Sequence, residues 1–310
     1  LIRTRGLAGL WLGFGALTAI FGLFQYATNG YGLTGWMLGM RTYWLYMPLA
    51  FVVAKTFRPE DVDRFLRLVL AIAVPYAALV AAQYNSPASV FINLGVGGDE
   101  EGAVGLADGI FRPFGLFTYT GPNVQYTAFS IAAFLAFYLS RTPMRHRGPF
   151  LIAAGTAIGT MSVLTGSRSI YFLAGIIIGV AVLGLFFARP SVRSLTRILG
   201  VAGFVALAGV LFVQVFTDML AAMETRFERA AQSEGSIWAR AFGGVLSWVE
   251  PLFTAPFLGH GMGLGAPGVA RLLGVPALIY GESDLQRNVN ELGVGLGAVM
   301  LALRFGTAGW

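Results

Sequence analysis

The chain has 310 residues, 56% of them hydrophobic and only 12% charged, with a mean hydropathy of +0.70. A soluble domain carries about 25% charged residues, so this composition places most of the chain in lipid. With 0 cysteines and 2 histidines, His146 and His260, it excludes a disulfide framework, a catalytic thiol and a thiolate or multi-histidine metal site. No metal and no cofactor are therefore expected.

The sequence starts at Leu1 rather than Met and stops soon after an apolar segment, which marks it as a fragment of a longer protein. The first apolar stretch is followed by no small-residue cleavage site and reads as a spanning segment, not a signal peptide. A bilayer core needs about 20 apolar residues in a helix. By that measure spans are expected near 7–27, 36–55, 66–85, 124–140, 150–166, 169–188, 198–216 and 289–305. The fold class is an all-α, polytopic transmembrane bundle of about eight spans. Residues 1–310 form a single integral membrane domain, with a first outer loop at 86–123 and a large outer loop, bearing short amphipathic helices, at 217–288.

The connectors from Lys55 to Arg67, Arg141 to Arg147 and Arg189 to Arg197 are basic. Placed in the cytoplasm by the positive-inside rule, they put Arg3, Arg5 and, by alternation, Arg304 on the same side. Then 13 of the 21 Lys and Arg lie inside and 12 of the 15 Asp and Glu outside. The net charge of +6 is thus a sidedness signal, and nucleic acid is not an expected partner. The 42 glycines suit close helix packing in a membrane.

Polar residues expected at the outer face carry the functional argument. "GVGGDEEGAVGLADG" makes the first outer loop acidic and glycine-rich. In "VLTGSRSIYF", Arg168 occupies an outward turn between two apolar stretches. It is either an arginine reaching for the interface or an anion site, since a guanidinium grips phosphate oxygens in bidentate fashion. Arg41 either lines the same outer cavity or snorkels, and Arg112 is a further outer arginine. Arg226 and Arg229 have Glu224 and Glu228 as local partners.

In the large loop, "IWARAFGGVLSWVE" places Trp238, Phe242, Val245, Leu246 and Val249 on one helical stripe, which caps the bundle or lies on the membrane. Arg240 shares that helix. "GHGMGLG" is a close-packed turn in which His260 is structural, since no strand precedes this glycine run. "ESDLQRNVNELGVGLG" then enters the membrane polar face first, with Asp284, Arg287 and Glu291 at helical spacing. Either Asp284 and Arg287 pair internally, or a wet cavity lies beneath them. Glu282 has neutral Gln286 at i+4 and is left as a base.

Four segments, in order, resemble the O-antigen ligase and polymerase superfamily of bacterial envelope membrane proteins. They are "FRPFGLFTYTGPNVQYTAF", "LTGSRS", "IWARAFGGVLSWVEPLFTAPFLGHGMGLG" and "ESDLQRNVNELGVGLG", covering roughly Phe111 to Arg304. The resemblance implies a glycosyltransferase of the bacterial inner membrane, with the N-terminal end of the chain cytoplasmic. Its activity would move an oligosaccharide from a polyprenyl-pyrophosphate carrier to an acceptor sugar outside the cytoplasm, without metal or nucleotide sugar.

By position, Arg168 and Arg240 would hold the pyrophosphate, with Arg287 as another contact. Where ligases keep a histidine this chain has Glu282, which would act as the catalytic base and favours a polymerase-like or divergent member. The implied partners are the lipid-linked glycan, membrane lipid and other membrane subunits. A non-catalytic subunit of a membrane assembly is the alternative. A lipid-linked sugar transporter is a further one, disfavoured because Pro75 is the nearest candidate break and spans three to seven otherwise lack ionised residues that could form a midplane relay.

Overall fold

The computed structural model describes residues 2–30, 32–45, 47–94, 112–117, 120–140, 143–188, 196, 200, 203, 246–266, 269, 272–274 and 283–308. The described residues are helical and turn-forming, with no strand among them. The helices are α1 (Ile2–Thr28), α2 (Gly32–Trp44), α3 (Met47–Thr56), α4 (Pro59–Tyr84), α5 (Thr120–Leu139), α6 (Arg147–Leu164), α7 (Arg168–Ala188), the short α8 (Pro251–Thr254) and α9 (Asp284–Ala308). The expected span at 198–216, the acidic run of the first outer loop and most of the 217–288 loop lie outside the described residues.

Four described stretches have the length and apolar composition to cross a membrane: Gly6–Thr28, Pro59–Tyr84, Ser169–Phe187 and Asp284–Thr307. Their outward faces agree with a lipid setting. In the third, only 6% of the apolar window is buried, and Ile176, Val180, Leu183, Phe186 and Phe187 are exposed along it. A soluble monomer rarely shows so continuous an apolar surface.

The chain divides into two compact units, Leu1–Phe57 with Ser236–Trp310, and Arg58–Gly235. In the second, α4 opens with Pro59 at its first position, where a missing N–H costs nothing, and the Asp61 carboxylate accepts the Arg58 N–H at 3.0 Å. Helix α4 packs on α5 and α6, and α5 on α6 and α7. Small residues at the contacts, Ala73, Ala77, Ala133, Ala154 and Ala157, let the backbones approach around Leu70, Val80, Phe137 and Met161. Arg147 donates to the carbonyls of Phe137, Tyr138 and Ser140 at 2.8, 3.1 and 2.6 Å, closing the open C-terminus of α5.

In the first unit α2 packs on α1, with Trp44 edge-on to Trp11 and Phe14, and α9 packs on α1 and α8. Two expected spans differ here. The stretch 36–55 is two helices, α2 and α3, parted around Leu45. Pro48 has no N–H for the Trp44 carbonyl and its ring crowds that carbonyl, which favours a break here, whereas α4 runs through Pro75.

The expected span at 289–305 is a hairpin. Gly293, with φ 79° and ψ 170°, leaves the helical region and turns the chain back. A straight helix rising 1.5 Å per residue would hold Asp284 and Arg304 about 30 Å apart, but Arg304 Nη1 lies 3.8 Å from Asp284 Oδ2. Gly297 backs so closely on the first arm that an added Cβ would sit 2.6 Å from Val289 Cα. The arms, 284–292 and 294–308, are about 13 and 22 Å long, each short of a hydrocarbon core of about 30 Å. Arg304 therefore shares an end with Asp284, and the alternation that placed the two on opposite sides fails.

Candidate functional site

The elbow of the α9 hairpin holds the most elaborate polar arrangement among the described residues. Because the helix breaks at Gly293, the carbonyls of Asn290 and Glu291 are free to accept the N–H groups of His260 and Gly261, at 3.0 and 3.2 Å. The glycine run 259–265 thus lies against the broken helix. The close approach requires glycine on both sides: a Cβ on Gly293 would strike the Phe257 carbonyl, and one on Gly259 the Glu291 carbonyl.

Glu291 sits inside this elbow, fully buried. Its Oε2 accepts the Gly263 N–H at 2.6 Å and the Tyr43 hydroxyl at 2.7 Å, and its Oε1 accepts the Gly265 N–H at 2.9 Å. Arg287 Nε stands 3.7 Å from Oε1. Backbone N–H groups aimed at a carboxyl group form a nest suited to negative charge, and the group that fills the nest of this glycine run is the protein's own Glu291.

Helix α1 fixes the other side of the run. Gln25 donates to the carbonyls of Leu258 and Glu291, the latter at 2.9 Å, and accepts the Met262 N–H at 3.3 Å. Tyr26 donates to the Met262 carbonyl at 2.9 Å, and Asn29 to that of His260 at 2.8 Å. Gly39 of α2 lies flat on the Met262 carbonyl, where a Cβ would collide with it. The second α9 arm then returns beside α1, so that Val299 and Leu303 line one groove with Gly9, Gly13 and Leu17. The open end of the hairpin therefore lies partway along the apolar α1 helix.

At that open end Arg287, its side chain 14% exposed, donates from Nη2 to Asp284 Oδ1 at 2.6 Å. The internal Asp284–Arg287 pair anticipated from their spacing is present, and Arg304 joins it. Ser247 and Ser283 hydroxyls meet at 2.6 Å alongside.

The other sequence candidates fall elsewhere. In the second unit Arg112 Nε donates to the Thr165 carbonyl at 3.2 Å, which brings Arg112 to the turn preceding Arg168 at the start of α7. Arg41 is exposed in the last turn of α2. Glu282 and Arg240 lie outside the described residues. His260 is half-buried, and burial holds its imidazole pKa below the usual 6.5. Among the described residues no group of His, Asp and Glu is placed to hold a metal ion.

Sequence reasoning placed Glu291 on the polar face of its helix but missed Tyr43, Gln25 and the hairpin. A glutamine inside an apolar helix was the available signal for Gln25, since a buried amide must find partners. Tyr43 carried no signal, because an aromatic near a helix end is ordinary in membrane proteins.

What fold and site define is an all-helical protein with helices long and apolar enough to cross a membrane and a broken helical hairpin that carries paired charges. No family profile, curated protein or solved structure matches the chain.

Proposed function

We propose that this chain is a membrane glycosyltransferase of the glycan polymerase or ligase kind. It would move an oligosaccharide from a polyprenyl-pyrophosphate carrier to an acceptor sugar at the outer face of the bacterial inner membrane. The observation that carries this reading is Arg287, a mostly buried guanidinium on a discontinuous apolar helix. Ionised residues at membrane depth are expensive and mark substrate paths.

In this reading the acceptor oxygen attacks the anomeric carbon, and the bond from that carbon to the pyrophosphate oxygen breaks. The electron pair leaves with the lipid pyrophosphate. Arg287, with Arg168 and Arg240, offsets the charge that develops on the leaving group, and Glu282 takes the proton of the acceptor hydroxyl. Arg112 and Arg41 are further contacts. The proposed topology keeps the N-terminal end cytoplasmic and the eight-span scheme up to 198–216, with 36–55 broken near Leu45 and 284–308 a helical hairpin in place of the last span.

One observation favours a second reading. Transporters build anionic-substrate sites from discontinuous helices, and the break at Gly293 is such an interruption. A transporter or flippase for a lipid-linked sugar is therefore the competing class, and a non-catalytic membrane subunit the third.

The test is release of free polyprenyl pyrophosphate from a host lipid-linked oligosaccharide pool by the full-length protein in nanodiscs. Release that Arg287→Gln and Glu282→Gln both abolish, with melting unchanged, supports transfer. Movement of the intact donor between leaflets without release would replace transfer with transport.

A further inference from the structure

We draw no further inference here: the strongest candidate, the apolar groove between α1 and the second α9 arm, lined by Gly6, Gly9 and Gly13 with Val299 and Leu303, carries nothing because no feature of the structure shows what covers it.

Discussion

The phenol of Tyr43 donates a 2.7 Å hydrogen bond to Glu291 Oε2, tying α2 to the elbow of the α9 hairpin. The same oxygen accepts the Gly263 N–H and its twin accepts that of Gly265, so one carboxylate joins three segments far apart in sequence. Glu291→Ala strands both N–H groups away from water at about 1–3 kcal/mol each. A loss of about 3–5 kcal/mol is expected, read as melting of the detergent-solubilised protein. Tyr43→Phe removes one donor to a carboxylate that keeps two others, for a loss of about 2 kcal/mol. On a Glu291→Ala background Tyr43→Phe should cost almost nothing, because the two residues act through one bond. Additive losses would show that the bond contributes little.

Gly293 makes the hairpin, and the hairpin makes a topological prediction. Residues 1–310 contain 0 cysteines, so single cysteines introduced among them can be labelled without background from this stretch. Asp284→Cys and Arg304→Cys are expected to react with an impermeant maleimide from the same side of the membrane. A continuous span would require opposite sides. Gly293→Ala forces a Cβ into the left-handed region and against the Phe257 carbonyl. It should destabilise the hairpin enough to lower the yield of folded protein sharply, judged by gel filtration. Native-like folding of Gly293→Ala would show that the turn does not need glycine.

The two expected spans that differ show what an apolar sequence hides. Composition is the same for a helix that crosses and one that turns back, so 289–305 read as a span from length and hydropathy alone. The break depends on Gly293, but other glycines of similar appearance lie in unbroken helix, among them Gly6, Gly9 and Gly13 of α1. Only tertiary contact with the 257–261 segment supplies the acceptors and donors that make the turn stable at Gly293. Pro48 was a local signal for the break between α2 and α3, but not a sufficient one, since α4 runs through Pro75. Along α1, α4 and α7 periodicity is not needed: the helix is the one way a long apolar segment satisfies its own backbone, and these were legible. Arg287 was legible as a candidate through its spacing from Asp284 and Glu291, whereas Arg304 joined it only through the fold.

In the second unit Gln83, fully buried near the end of α4, holds together the two end segments of the first outer loop. Its amide donates to the carbonyls of Ile92 and Gly115 at 2.8 and 3.1 Å and accepts the Gly115 N–H at 2.8 Å. Gly115 itself, at φ 65°, lies against the Tyr76 hydroxyl, where a Cβ would collide. Gln83→Leu keeps the volume but leaves a buried N–H and two carbonyls unpaired. A loss of about 2–4 kcal/mol is expected from roughly 1–3 kcal/mol per stranded group, less what local rearrangement recovers. Faster proteolysis between residues 86 and 117 should accompany it, since the anchor of both segments is gone. Proteolysis at the wild-type rate would show that Gln83 does not hold them.

His260 supplies the pH dependence that can be derived from the elbow. It lies in the glycine run outside the helices, and burial of its ring disfavours the imidazolium, which moves the pKa below 6.5. As pH falls through about 6.5 the unfolded chain takes up a proton that the folded chain still resists, so folding loses stability. The loss grows until pH passes the folded-state pKa and is constant below it. At neutral pH both states are mostly unprotonated and the effect vanishes. His260→Gln cannot titrate, and the backbone bonds of residue 260 to Asn290 and Asn29 do not need the ring. Between about pH 7 and about pH 5 the melting temperature of wild type should therefore fall further than that of His260→Gln. Parallel pH profiles would mean that the ring is as well solvated in the folded protein as in the unfolded chain, and that the glycine run packs more loosely around position 260 than its hydrogen bonds imply.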